Sequence, residues 1–131
     1  MAQTQSPTTL GYAEIAKLVA GEAATCVESI VGLTGACTAA EASTFANPGG
    51  ATKLAANGFT LANADTVSSS AGVVTVNHVF TASGTQSVTG FAIENDDDDV
   101  VIMECCYNAA IVFETTDTNT IAATIEFKLG A

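Results

Sequence analysis

Thr118-Asn-Thr-Ile-Ala-Ala-Thr-Ile-Glu-Phe-Lys-Leu129 alternates with a period of two. Ile121, Ala123, Ile125, Phe127 and Leu129 fall on one side of an extended chain, and Thr120, Ala122, Thr124, Glu126 and Lys128 on the other. Successive side chains of a strand point to opposite faces, so one apolar side and one polar side predict a sheet resting on a core with its back to water. Moving upstream, Phe59–Ser68, Val73–Ala82, Ser87–Asn95, Val100–Tyr107 and Ala109–Glu114 are further strand-like runs. Gly72, Gly84, Asn95–Asp99 and Thr115–Asp117 punctuate them. Short strands at this spacing predict a mainly β chain, an antiparallel β-sandwich of jelly-roll-like form. Val73–Thr81 carries Val74, Val76, His78 and Phe80 on one face and Val73 and Val79 on the other, which predicts cover on both sides.

The first half differs in kind. Residues 1–9 are polar, contain Pro7 and predict an N-terminal arm; residues 10–131 form a single domain. One helix is expected over residues 9–20, where Leu10, Ala13, Ile15, Ala16, Leu18 and Val19 make an apolar stripe and Gly21 supplies the stop. A short strand follows at Val27–Leu33. Residues 34–57, with the turn Asn47-Pro48-Gly49-Gly50, form an irregular connection. That is long for a featureless loop in a compact domain, so contacts must order part of it.

Composition excludes several partners. Hydrophobic residues make up 48% and charged residues 13%, which rules out a charge-dominated disordered chain. Three lysines (Lys17, Lys53, Lys128), no arginine and fourteen acidic residues give a formal charge of −11. Nucleic acid and anionic membrane surfaces are attracted by clustered cations, which this chain lacks. No apolar run reaches the roughly 18 residues of a membrane span, and Met1–Pro7 has neither the basic nor the apolar part of a signal peptide. The expectation is synthesis in the cytoplasm. Cys26, Cys37, Cys105 and Cys106 then read as small buried hydrophobes kept reduced, with a Cys26–Cys37 bridge across a turn as the alternative. Adjacent Cys105 and Cys106 point to opposite faces and cannot easily bond each other.

Catalysis has no visible foothold. His78 is the one histidine available as a base, and it sits within a strand rather than on a loop. No nucleophile-elbow, zinc-protease or phosphate-loop sequence is present. The sharpest local feature is Asp96, Asp97, Asp98 and Asp99, which with Glu94 place five carboxylates within six residues. Ca²⁺ takes roughly six to eight oxygen ligands, so this turn is the candidate metal site, with Asp117 expected to return to the same end of the sheet. Against that stands a solvated turn whose charge keeps sheet edges apart. No cofactor is expected beyond that candidate Ca²⁺. Phe59, Phe80, Phe91, Phe113 and Phe127 fall one per strand as core residues do, and the lack of tryptophan weighs against a sugar-binding platform.

Several segments together resemble a pattern found in small structural proteins of tailed bacteriophages and related archaeal viruses. They are Val74-Thr-Val-Asn-His-Val-Phe-Thr-Ala-Ser-Gly84, Ser87-Val-Thr-Gly-Phe-Ala-Ile-Glu-Asn95, Val100–Cys106, Ala109–Phe113 and Asp117-Thr-Asn-Thr-Ile121, with Ile15–Gly21 and Val27–Thr34 upstream. The resemblance spans most of the chain. It implies a β-sandwich that decorates or builds a capsid, neck, tail or fibre, located in the virion, with copies of itself and major capsid or tail proteins as partners. The chain departs from the pattern at Asp96–Asp99, where relatives carry a glycine-bearing turn, and at the paired cysteines that follow. The expected function is a non-enzymatic virion subunit whose contacts come from the 1–9 arm, the 34–57 connection and one sheet edge. The alternatives are a subunit of an extracellular filament or adhesin built by strand addition, and a small carbohydrate-binding module.

Overall fold

The computed structural model describes residues 3–22, 29–97 and 99–126. The chain runs through β1 (Gln3–Pro7), α1 (Thr9–Ala20), β2 (Ser29–Thr34), a single 3-10 turn at Pro48–Gly50, β3 (Thr52–Lys53), β4 (Ala62–Asn63), β5 (Thr66–Ser70), β6 (Val73–Thr81), β7 (Gln86–Asn95), β8 (Val100–Phe113) and β9 (Thr118–Glu126). It is mainly β, with antiparallel pairing throughout and one helix near the N-terminus. A large sheet has the order β1-β8-β7-β2-β3, with β4 also on β2; a small sheet has the order β5-β6-β9. That strand order does not establish a jelly-roll wiring.

The strands pair where apolar alternation lets two faces meet. The large sheet turns Ile30, Phe91, Ile93, Met103 and Cys105 inward, and the small sheet answers with Val76, Phe80, Ile121 and Ala123. Phe59, on the segment between β3 and β4, fills the middle, with ring centroids 5.4 Å from Phe80 and 5.1 Å from Phe113. Fully burying a large apolar side chain is worth about 1.5–3 kcal/mol, so this cluster dominates the stability of the β body.

Several expected elements change. The polar arm is a strand: Gln3–Pro7 pairs with Tyr107–Met103 at the edge of the large sheet. Its polarity is that of an edge strand whose side chains are mostly exposed. Residues 100–113, expected as two strands, form one. Val88 pairs with Ile111 but Gly90 with Cys106, so β8 bulges outward between those pairings, leaving Asn108, Ala109 and Ala110 exposed. Residues 59–68, expected as one strand, instead hold two pieces, β4 at Ala62–Asn63 and the start of β5 at Thr66. The strand expected at Val27–Leu33 is β2, described from Ser29; Val27, Phe127 and Leu129 lie outside the described residues. Within β9, Ile121 and Ala123 are buried and Ala122 and Thr124 exposed, as the alternation requires.

The helix spans the expected residues but seats a glycine and an acid, rather than its large apolar residues, deepest on the sheet. Thr8 caps it, accepting from the Gly11 amide at 2.9 Å, while the Thr8 amide and hydroxyl bond to Ile102 and Val101 carbonyls of β8. That anchor lays Gly11 against β8, where a Cβ would stand 2.6 Å from the Ile102 carbonyl oxygen. Only glycine allows so close an approach. One turn on, Glu14 is also buried and Ile15 is half-buried, while Leu10, Tyr12 and Val19 stay exposed. The helix ends at Gly21, which adopts the left-handed conformation.

Candidate functional site

The outer face of the large sheet is covered by its own chain. Glu104 projects outward from the apolar run of β8 and is fully buried. It accepts from the Ala40 amide at 2.5 Å, the Ser43 hydroxyl at 2.6 Å and the Gly49 amide at 2.6 Å. Beside it Cys106 is bonded to Cys37. A Cβ on Gly49 would meet both sulfurs, at 2.9 and 3.0 Å, so glycine lets the turn sit directly on the bridge. Val31, Leu33, Ala51, Ala92 and Val101 form a second apolar cluster beneath, with Phe45 packed on it. Residues 37–51 are thus drawn onto the sheet by a carboxylate, a disulfide and an apolar patch, and the irregular connection is occupied with its own sheet. The observed bridge replaces the two cysteine expectations: Cys37 and Cys106 are not free, and Cys37 does not pair with Cys26, which lies outside the described residues. Strand geometry explains the choice. Cys105 points into the core as a free thiol and Cys106 points out to Cys37. Burial pushes the Cys105 thiol up to about 11.

Next to this cover lie two more buried carboxylates. Lys53 reaches Glu94 at 2.8 Å and also stands 3.2 Å from the Phe45 ring centroid. Burial raises the Glu94 carboxyl above the usual range; the Lys53 ammonium lowers it, and Asp96 and Asp99 add to the rise. Glu14 takes Lys17 at 3.1 Å and the Asn95 side-chain amide at 3.2 Å. Both lysines within the described residues are therefore engaged with buried glutamates.

The acidic turn closes the β7–β8 hairpin. Asp96 accepts from the Ser29 hydroxyl, Asp97 and Asp99 are exposed, Asp99 has φ 55°, and Asp98 lies outside the described residues. Among the described residues no group of three or more carboxylate, thiol or imidazole side chains is gathered to hold a metal ion. Asp117 does not return to this end. It bonds the Glu114 amide at 2.8 Å in the β8–β9 turn, at the opposite end of β8. His78 is half-buried, 3.2 Å from Asp65 and edge-on to Phe80 at 4.5 Å between centroids. Asp65 also accepts from the Val79 amide at 2.9 Å, so this pair fastens the loop before β5 to β6.

Two surfaces remain open. On α1, Leu10 is 55% exposed, Tyr12 59% and Val19 85%. No helix among the described residues is long and apolar enough to cross a membrane. The second surface is the small sheet. Its outer side presents Thr66, Ser68, Ser70, Val73, Thr75, Asn77, Val79, Thr120, Ala122 and Thr124, all uncharged, up to Glu126, which ends β9 opposite Val73. The double cover expected for β6 is absent there, since Val79 is 44% exposed. Beside β9, a cleft of about 460 Å³ opens between the sheets. Phe91, Met103, Tyr107 and Ile111 line it, with β1 on one bank and residues 119–124 on the other. The Tyr107 hydroxyl accepts from the Asn119 side chain at 3.2 Å, and burial raises its pKa.

Sequence reasoning passed over Gly11 and Glu104. Each carried a signal: a glycine inside a helix, and a lone acid within an apolar strand. Compared with known proteins, the chain matches no family model, no curated protein and no solved structure.

Proposed function

We propose that this chain is a non-enzymatic structural subunit of a virus particle, one that works by packing against copies of itself and against a larger shell, neck or tail. The observation that carries the packing is the orientation of α1. A surface helix ordinarily buries its apolar stripe and shows its polar side to water. Here Gly11 and Glu14 take the sheet, and Leu10, Tyr12 and Val19 are presented outward. Tyr12 and Val19, seven residues apart, share one side of the helix, and apolar exposure of this kind marks a contact surface. The virion setting is supplied by the sequence resemblance, and the negative surface favours an outer position over one facing the genome. A subunit that binds only the assembled particle stabilises it by mass action.

An antibody to the chain, applied to purified particles and to cell-surface filaments under the electron microscope, tests the setting. Labelling at regular positions on particles is expected. Labelling of filaments alone would replace this reading with the filament-subunit alternative. The packing role has its own check: Tyr12→Ser/Val19→Ser should leave the fold intact and release the subunit from particles.

A further inference from the structure

The two ends of the sandwich are complementary in shape. At one end the small sheet stops at β9 while the large sheet continues to β1, so the cleft lies open beside β9. Among the described residues β9 pairs with β6 alone. At the other end, again among the described residues, β5 pairs with β6 alone and is exposed at all five positions. Val67 stands opposite Val76, a core residue, and so lies on the inward side of the sheet; yet it is 45% exposed. The strand overhangs its own large sheet. One end lacks a strand over a cleft floored by Phe91, Met103, Tyr107 and Ile111, and the other offers a strand with Val67 bare on its underside.

The charges agree. Every residue from Thr66 to Ile93 is free of Asp, Glu, Lys and Arg, as is Thr118–Ile125. In a chain of net charge −11, contact between identical copies is opposed by repulsion everywhere except on such a surface. Natural edge strands are usually blocked by a charge, a proline or shortness. β1 ends in Pro7 and β3 has two residues, whereas β9 runs from Thr118 to Glu126 with no block before its last residue.

We infer that copies of this chain join head to tail, β5 of one lying along β9 of the next, with Val67 seated over the cleft floor beneath the overhanging β1. This rests on the assembly reading above and names the joint. A head-to-tail contact uses two different patches, so it builds rings or open filaments rather than closed two-fold dimers. Strand addition supplies the backbone hydrogen bonds, and the cleft selects the side chain.

Sedimentation of four purified full chains tests the joint: the wild type, Val67→Asp, Ala122→Asp/Thr124→Asp, and a control, Ala42→Asp/Ala46→Asp, with two added carboxylates at exposed positions of the connection. The wild type and control should form species of more than two subunits. Either joint variant alone should self-associate roughly tenfold or more weakly. A one-to-one mixture of the two joint variants should give dimers and nothing larger, since each supplies the patch the other lacks. That rescue also shows that both variants are folded; far-UV circular dichroism checks it, and Ser69→Asp replaces Val67→Asp if that chain is unfolded. Assembly that survives in a joint variant, or folded variants whose mixture stays monomeric, overturns the joint and leaves the assembly reading standing. A wild type that is monomeric at every concentration overturns both.

Discussion

On the large sheet, the outward positions hold Glu94, Glu104 and Cys106, each buried under a segment of the same chain. On the small sheet, the outward positions short of Glu126 hold Thr, Ser, Asn, Ala and Val, and Val79, Ala122 and Thr124 among them are exposed. Buried carboxylates need dedicated donors, so their side of the molecule must be built precisely around them. Uncharged β-branched residues need none, so their side can stay bare or accept another strand at little desolvation. A chain with fourteen acids and three lysines has thus hidden three of its acids against one sheet and kept charge off the outward positions of the other until Glu126, the last residue of β9. The first sheet is closed by its own connection; the second is where the molecule is open.

Glu104 offers the hardest test of that closure. Glu104→Ala leaves the Ala40 amide and the Ser43 hydroxyl without their acceptor and the Gly49 amide with the Ser43 oxygen alone, and should lower stability by about 3–5 kcal/mol in urea denaturation, while Glu104→Gln, retaining one acceptor oxygen, should lose less. An effect below about 1 kcal/mol would mean that the cover is held mainly by apolar contacts. The Cys37–Cys106 bridge comes next. Its partners are 69 residues apart, and Cys106→Ser should remove about 2–4 kcal/mol. Reductant should lower the melting temperature of the wild type and leave that of Cys37→Ser/Cys106→Ser unmoved.

Gly11 tests the seating of the helix on β8. In an ordinary surface helix, Gly→Ala gains about 1 kcal/mol. Here the added Cβ would stand 2.6 Å from a backbone oxygen, so Gly11→Ala should destabilise by about 1–3 kcal/mol. A stabilising result would contradict the placement of α1. The smallest effect concerns Glu94. Its carboxyl is raised by burial, so the folded state takes up a proton at a higher pH than the unfolded chain does. Stability from this group is therefore greatest below the ordinary carboxylate range and declines as pH rises through the raised value. Measured against Glu94→Gln, the wild type should gain relative stability as the pH is lowered from neutral toward 4.5.

The contrast between the sheets also explains what could be foreseen. The antiparallel β body was legible because alternation at residues such as Ile121, Ala123 and Ile125 is a local property of the chain. The span of α1 was legible for the same reason, from its periodicity and Gly21. Its orientation was not, because a hydrophobic stripe shows which residues are apolar and not which side a threonine cap and a glycine will press against a neighbour. The bridge at Cys37 and Cys106 and the donors around Glu104 join residues some sixty positions apart, and no local pattern announces such pairings. Of the candidate site residues, Asp96–Asp99 did form the tip of a hairpin, but Asp117 went to the opposite end because β8 is a single long strand rather than two. The uncharged run from Thr66 to Ile93 was present in the sequence throughout. Its meaning emerged only once its first strand, β5, and the uncharged stretch of β9 stood at the two edges of one sheet, each pairing among the described residues with β6 alone.

Salt dependence of self-association tests the central claim most directly. If copies meet through the uncharged small sheet while the rest of each molecule is acidic, added sodium chloride screens only repulsion. Sedimentation of the wild-type chain should then show association strengthening from low to moderate salt. Association that weakens over that range, or a chain that stays monomeric at all salt concentrations, would contradict it.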